Sequence, residues 1–131
     1  MEVHGGCLCG GTRYVLRAVP GAVTDCHCQD CRRSSGAAFV TWGGVLRRNF
    51  DVTQGTIRQI VHAERIRGFA ACCGTHLTMA DSPEDECIEV AIASIDNPAP
   101  FRPEKIIWTE DKLPWVVLDS KLPSYPRNKE R

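Results

Sequence analysis

Three cysteines lie close together in the segment CHCQDC, as Cys26, Cys28 and Cys31. C-x-C and C-x-x-C spacings bring sulfur atoms to one metal ion, and zinc is commonly bound in this way. Three ligands from one segment leave the fourth tetrahedral position free for solvent or substrate. The segment therefore predicts an open zinc site, against the alternatives of three buried reduced thiols or a redox pair.

Four further cysteines offer ligands for a second, closed zinc site. Cys7 and Cys9 lie in HGGCLCGG, where the flanking glycines let the backbone turn tightly around a metal. The segment GFAACCGTHL contains Cys72 and Cys73 and is expected to supply the other half of the site. Cys87 stands apart from both groups, and we expect it to be a small buried residue on a strand.

The chain is expected to be cytoplasmic, without a membrane or a nucleic acid as its partner. Its start, MEVHGGCLCGG, has no charged region followed by an apolar run, and no later segment is apolar enough to span a bilayer. Sixteen Lys and Arg balance sixteen Asp and Glu, so no basic field attracts phosphates. Because cytoplasmic thiols stay reduced, eight cysteines favour metal binding over disulfides.

Short β-branched and aromatic segments between turn residues predict an all-β fold, with residues 1–131 forming one domain. In CIEVAIASI, Ile88 and Val90 alternate with smaller or polar residues, as expected of a strand with one buried face. The predicted strands are Thr12 to Leu16, Ala22 to His27, Phe39 to Val45, Thr56 to His62, His76 to Ala80, Cys87 to Ile95 and Lys105 to Trp108.

One short helical turn is predicted over residues 29–35, with Asp30 as a possible cap and Gly36 at its end. Repeated prolines after Ser94 predict that the C-terminal third is an extended segment lying over the sheet. Residues 127–131 are expected to fray.

An open zinc with three thiolates favours thiol chemistry over hydrolysis. The thiolates already carry negative charge, so the ion polarises water weakly, whereas a coordinated thiol ionises at neutral pH. Arg32 and Arg33 follow the last ligand and are candidates to bind a substrate carboxylate; the alternative is two solvated charges. His27 is expected to pack or support the site, because on an extended chain it points away from its neighbours.

The sequence resembles the glutathione-dependent formaldehyde-activating enzyme family. The matching segments are GGCLCGGTRY at 5–14, CHCQDCRRSSGAAFVTW at 26–42, GFAACCGTHL at 68–77, IIWTEDKLPWVVL at 106–118 and LPSYP at 122–126. The resemblance implies a zinc-binding all-β fold of the β-tent type, made of several short antiparallel strands. It also implies an enzyme of the carbon-sulfur lyase class that joins glutathione and formaldehyde to give S-hydroxymethylglutathione.

The resemblance also implies roles for individual cysteines. The catalytic zinc is expected on Cys26, Cys28 and Cys31, and a structural zinc on Cys7, Cys9 and Cys73. The family's fourth structural ligand falls at Ala70, so this chain departs from the pattern there. Cys72 is the nearby cysteine that could replace it; the alternatives are a free thiol, a vicinal disulfide or an empty site. His76 is a reserve ligand.

Two other functions stay open at this point. The first is a noncatalytic zinc-stabilised binding module, in which a protein side chain fills the fourth zinc position. The second is an enzyme on the same scaffold with another thiol or aldehyde as substrate.

Overall fold

The computed structural model describes residues 1–128 and consists mainly of strands with one helix, which confirms the predicted all-β class. The helix α1 spans Gln29–Ser35, as predicted. The strands of this part of the chain are β1 (Val3–Gly6), β2 (Arg13–Leu16), β3 (Gly21–Cys26), β4 (Val40–Leu46), β5 (Phe50–Gln54), β6 (Ile57–His62), β7 (Arg65–Ala70), β8 (His76–Ala80), β9 (Cys87–Ala91) and β10 (Lys105–Ile107).

The strands form two sheets. The smaller sheet has the order β1-β2-β5, and the larger has the order β10-β3-β4-β9-β8-β7-β6. Paired strands run antiparallel except β10, which lies parallel to β3 at the edge of the larger sheet. Strands β1, β5 and β7 were not among the segments predicted from the sequence.

Residues of both sheets form the main hydrophobic core. Tyr14 and Leu16 from β2 pack with Leu77 and Val90 from the larger sheet, and all four are almost fully buried. A second buried cluster contains Cys26, Cys31, Trp42 and Ala91. In β9, Val90 belongs to the main core and its neighbour Ala91 to the second cluster, so the two clusters lie on opposite faces of the larger sheet.

Strand β9 ends earlier than predicted. It stops at Ala91, and residues Ile92–Ser94 form a 3-10 helix instead of continuing to Ile95. The Ser94 hydroxyl donates to the Ala91 carbonyl at 2.7 Å, and the Ile95 N–H donates to the Ile92 carbonyl at 3.0 Å. These local bonds satisfy backbone groups that a longer strand would have had to pair across the sheet.

The predicted burial of Cys87 is wrong. Cys87 is the first residue of β9, pairs with Leu46 at the end of β4, and is exposed. By strand alternation it shares a face with Glu89, whereas Ile88 and Val90 fill the core.

Part of the C-terminal segment extends the edge of the larger sheet, and Trp108 packs against the second buried cluster. Strand β10 pairs with β3, and the Ile106 N–H and carbonyl bond Pro123 and Tyr125 at 2.9 Å each. The expected fraying is wrong at Arg127, whose guanidinium contacts Glu110 at 2.8 Å. Residues 129–131, which that prediction also covers, lie outside the described residues.

Candidate functional site

The three cysteines of CHCQDC meet where β3 passes into α1. Cys26 ends β3, Cys28 is the N-cap of the helix, and Cys31 lies in its first turn. Their sulfur atoms lie within 4.8 Å of one another, and Cys26 and Cys31 are buried. We call this group the three-thiol cluster.

The cap of α1 is a cysteine and not the predicted Asp30. The Cys28 sulfur accepts a hydrogen bond from the Cys31 N–H at 3.2 Å. At the other end, Gly36 adopts φ +70° and its N–H donates to the Arg32 carbonyl at 2.8 Å. The helix therefore ends at Gly36, as predicted. The helix therefore begins at a cluster sulfur, which fixes Cys31 relative to Cys28.

Two polar side chains reach the Cys31 sulfur from other strands. The indole Nε1 of Trp42 donates to it at 3.4 Å, and the Nη1 of Arg67 lies 3.8 Å away. The same Nη1 donates to the Ser34 hydroxyl at 3.3 Å. Arg67 is 6% exposed, and the ion pairs found in residues 1–128 do not include it. A thiolate at Cys31 is therefore the anion placed to balance this buried charge.

These contacts lower the pKa of one thiol in the cluster, that of Cys31. Hydrogen bonds from the Cys26 and Cys28 thiols lower the pKa of Cys31 well below its ordinary value, and the Trp42 indole and the Arg67 charge lower it further against the effect of burial. Hydrogen bonding to the other two thiols and burial raise the pKa of Cys26. The contacts thus favour a thiolate at Cys31, and thiolate is the form that binds metal.

A cavity of about 180 Å³ opens in front of the three-thiol cluster. Besides the three sulfurs, its wall carries charged side chains of both signs. These are Arg65, Arg67, Lys105, Asp81, Asp85 and Glu89. The predicted carboxylate ligands Arg32 and Arg33 lie on α1, half-buried and exposed respectively, and are not among the residues lining this cavity. Their role in substrate binding stays a prediction.

The other four clustered cysteines also come together, as a four-thiol cluster of Cys7, Cys9, Cys72 and Cys73. All their sulfurs lie within 4.8 Å of one another. The Cys72 sulfur is 3.6 Å from that of Cys7 and 3.3 Å from that of Cys9. Cys72 therefore occupies the cluster together with its neighbour Cys73.

Backbone and hydroxyl donors surround the sulfurs of the four-thiol cluster. The Thr12 N–H donates to Cys7 at 3.2 Å, and the Gly11 N–H donates to Cys9 at 3.4 Å. Hydrogen bonding to the Thr75 hydroxyl, 3.2 Å from its sulfur, lowers the pKa of Cys73 to about 6. Such donors favour thiolate over thiol, as metal ligation requires.

The donor sets of both clusters fit zinc. With Zn–S bonds of about 2.3 Å, tetrahedral zinc holds its sulfurs about 3.8 Å apart. The measured separations of 3.3, 3.6 and 3.8 Å in the four-thiol cluster need only small adjustments to reach this value. The three-thiol cluster supplies one ligand fewer, and no other His, Cys, Asp or Glu of residues 1–128 groups with it.

Comparison with known proteins identifies the family. The family model described as glutathione-dependent formaldehyde-activating enzyme matches residues 2–111. The chain belongs to this family. Membership of the glutathione-dependent formaldehyde-activating enzyme family supports a role in activating formaldehyde with glutathione.

One solved structure is similar in fold to this member of the glutathione-dependent formaldehyde-activating enzyme family. A crystal structure of a Rhodobacter sphaeroides protein aligns with a TM-score of 0.56 and 23% sequence identity, over 75% of this chain and 94% of that chain. At this identity the likeness supports the fold alone. Comparison with curated proteins returned no match. In residues 1–128, no helix combines the length and the apolar character that crossing a membrane requires.

Ala70 is the position at which the resemblance to the family implies a fourth structural ligand. Ala70 ends β7 and is 1% exposed in the main core, where its N–H donates to the Thr75 carbonyl at 2.9 Å. The loop between them turns tightly, because the Gly74 N–H donates to the Ala70 carbonyl at 2.7 Å and Gly74 adopts φ +81°. This turn brings both adjacent cysteine sulfurs into the four-thiol cluster.

The histidines near the clusters lie outside both sulfur groups. His27 is 1% exposed and stacks on Phe39 at 4.7 Å between ring centroids. His76, the reserve ligand, stacks on Phe69 at 4.5 Å, and its Nε2 bonds the Thr78 carbonyl at 3.0 Å. Burial and the charge of Arg67 lower the pKa of His76 to about 4. Both rings therefore pack against aromatic side chains.

Sequence reasoning did not single out Arg67, Glu89 or Lys105. Each is a charged residue within a strand, and such a residue normally faces water. The pairing of β7, β8 and β9 places Arg67 and Glu89 on either side of Met79, on the face of the sheet that carries the cavity. The linear pattern holds no signal for this arrangement.

Proposed function

We propose that this chain is a zinc-dependent enzyme that joins the thiol of glutathione to formaldehyde and forms S-hydroxymethylglutathione. In this reaction a carbon-sulfur bond forms, and the thiol proton ends on the former carbonyl oxygen. The observation that carries the proposal is the three-thiol cluster, whose sulfurs form part of a cavity wall and leave one zinc position open to a substrate thiol.

Cys26, Cys28 and Cys31 are the residues that would hold the catalytic zinc. When bound there, zinc would favour the thiolate of glutathione over its thiol, because coordination lowers the pKa of a thiol. Trp42 and Arg67 would orient the Cys31 sulfur and favour its thiolate through the contacts described above.

The charged side chains of the cavity would orient glutathione. Arg65 and Lys105 line the same wall as the three thiols and present cations to a peptide substrate that carries carboxylates. Arg32 and Arg33 compete for this role as the residues predicted from the sequence. Replacing Lys105 or Arg33 singly by Met and measuring glutathione affinity separates these two assignments.

The four-thiol cluster would hold a structural zinc. Its ligands come from the segment after β1 and from the turn after β7, so one ion would tie parts of the two sheets together. All four cysteines, including Cys72, are assigned to this site.

The alternative function, a noncatalytic binding module, needs a protein ligand at the fourth position of the three-thiol site. No such ligand joins the cluster within the part of the chain that the structure describes. The arrangement therefore favours the enzyme.

Exchange of formaldehyde between its free form and its glutathione adduct tests the proposal. We expect the zinc-loaded protein to accelerate this exchange, measured by NMR, above the spontaneous rate, and Cys28→Ser to abolish the acceleration. Cys87→Ser changes an exposed thiol that lines the same cavity but belongs to neither cluster, so it tests whether the loss is specific to the cluster sulfurs. Equal exchange rates with and without the wild-type protein contradict the proposal. Cysteine and other small thiols, run in parallel, establish whether glutathione is the substrate.

A further inference from the structure

Glu89 occupies the centre of the larger sheet on the face that carries the cavity. It pairs with Gly44 of β4 on one side and with Met79 of β8 on the other. Its neighbours in sequence, Ile88 and Val90, point into the main core, so the carboxylate points the opposite way. Glu89 accordingly lines the same cavity as the three thiols.

The carboxylate of Glu89 packs against bare backbone. A Cβ atom at Gly44 would lie 3.4 Å from its Oε2, so the carboxyl group lies directly over the backbone of β4. This Oε2 is buried and has no hydrogen-bond partner in residues 1–128. A carboxyl group placed in this way is ready to exchange a proton, because no fixed partner holds it in its charged form.

The other charged groups of the cavity do not offer the same property. Asp81 is paired with Arg65 at 3.2 Å, and Asp85 accepts a hydrogen bond from the Cys87 N–H at 3.1 Å. The other charged groups on this wall are the cations Arg65, Arg67 and Lys105. Burial and the charges of Asp81 and Asp85 raise the pKa of Glu89 to about 7, against the effect of Lys105.

We propose that Glu89 is a catalytic residue that carries the proton of the reaction from the substrate thiol to the carbonyl oxygen. This inference rests on the proposed function. The Glu89 carboxylate accepts the thiol proton, and the sulfur electron pair forms the bond to the aldehyde carbon. The carbon-oxygen π pair moves onto oxygen, which takes the proton back from Glu89. All atoms and electrons come from the thiol and the aldehyde, and Glu89 ends as it began.

A carrier of this kind is needed because the reaction moves one proton between two substrate atoms in a restricted cavity. A general acid-base residue works best when its pKa lies near the working pH, and such residues contribute about 10²–10⁴-fold to rate. Glu89 combines that pKa with a place on the wall of the cavity that holds the three thiols.

The test compares wild-type protein, Glu89→Gln and Glu84→Gln in the NMR exchange assay between about pH 6 and pH 9. Gln keeps the shape of Glu89 but carries no proton, and Glu84 is an exposed acid in the loop before β9. We expect E89Q to lose about 100-fold or more of the protein-dependent acceleration and to lose the rise in rate near pH 7, while E84Q matches wild type. Glutathione affinity and zinc content should not change in E89Q.

Glu89→Asp provides a second measurement that does not depend on the folding of E89Q, because it keeps a carboxyl group that is set back by one carbon. We expect it to retain the rise in rate with pH at a reduced maximum. Acceleration by E89Q within about twofold of wild type at every pH overturns the role of Glu89 and leaves the proposed function intact. No acceleration by wild-type protein overturns the proposed function itself, and the role of Glu89 with it.

Discussion

The Cys31 sulfur receives its charge from residues that are distant in sequence. The Trp42 indole donates to it, and the Arg67 guanidinium lies 3.8 Å away. Both contacts favour the thiolate, and burial of Arg67 strengthens its attraction to that charge. The three-thiol cluster therefore favours negative charge, which suits it to binding a cation and limits how strongly that cation polarises water.

Trp42→Phe removes the N–H donor while keeping most of the ring. Because the pKa of Cys31 should then rise, we expect zinc affinity at the three-thiol cluster to fall by about 10–100-fold, the usual effect of losing a group that supports a ligand. Competition with a chelator measures this change. Trp115→Phe is the matched control, since Trp115 is 72% exposed. Equal affinities of the two variants would show that the indole N–H does not tune the sulfur.

The ligand cysteines could be identified from the sequence, whereas the residues around them could not. Cys26, Cys28 and Cys31 lie within one segment, so their spacing alone predicts a shared ion. Arg67 and Glu89 reach the site only through strand pairing, and a lone charge in a strand predicts exposure to water. The sequence alone does not decide whether Cys72 is a ligand, because adjacent side chains normally point apart. The tight turn at Gly74 brings both adjacent sulfurs to the same cluster.

Helix α1 is too short to be stable by itself, and its two ends explain why it forms. Cys28 caps its first turn through a sulfur, and Gly36 ends it in the left-handed region. The sequence located this helix correctly because a glycine stop is a local signal. The sequence offers Asp30 as a possible cap and gives no sign of Cys28, because sulfur is not among the usual capping atoms.

Gly36→Ala places a side chain at φ +70° and should lower the free energy of unfolding by about 1 kcal/mol. Urea unfolding of the zinc-loaded protein measures the effect. Gly21→Ala is the control: its new side chain meets no atom within 4 Å and its φ is not positive, so we expect a change within about 0.5 kcal/mol. Equal destabilisation of both variants would mean that the left-handed stop does not matter.

The strands that the sequence missed carry weak local signals. β1 reads VHGG, and β7 reads RIRGFA with two arginines and a glycine. Glycine and charged residues are poor strand formers in isolation, so pairing with neighbouring strands must override their preferences. The segments rich in β-branched residues were located to within a few residues of their true ends, because their pattern is itself the signal.

At the scale of the whole molecule, the two faces of the larger sheet have different roles. One face carries the main core, and the other carries the three-thiol cluster, Glu89 and the cavity. A buried carboxyl group without a hydrogen-bond partner is unfavourable for folding, and functional residues commonly have this effect. Glu89 should therefore lower the free energy of unfolding at the pH values at which its carboxylate acts in catalysis.

The pH dependence of stability tests this consequence. Burial raises the pKa of Glu89 from 4.5 to about 7, so between these values the folded protein keeps a proton that the unfolded chain has lost. The contribution of Glu89 to the free energy of unfolding is therefore largest below about pH 4.5 and falls as the pH rises to about 7. We expect the free energy of unfolding of Glu89→Gln to exceed that of wild type by up to about 3 kcal/mol at pH 8. Near pH 4.5 the two values should be similar. A constant difference across this range would contradict the assignment.

Zinc stoichiometry by native mass spectrometry tests most directly the central claim, that each cysteine cluster holds one zinc ion. We expect two zinc ions in the wild-type chain, one in Cys28→Ser and one in Cys72→Ala, with two retained in the control Cys87→Ala. Glutathione should add to the Cys72→Ala protein, which keeps the open site, and not to Cys28→Ser. A wild-type chain with a single zinc ion, or a Cys72→Ala variant that still holds two, would contradict the account.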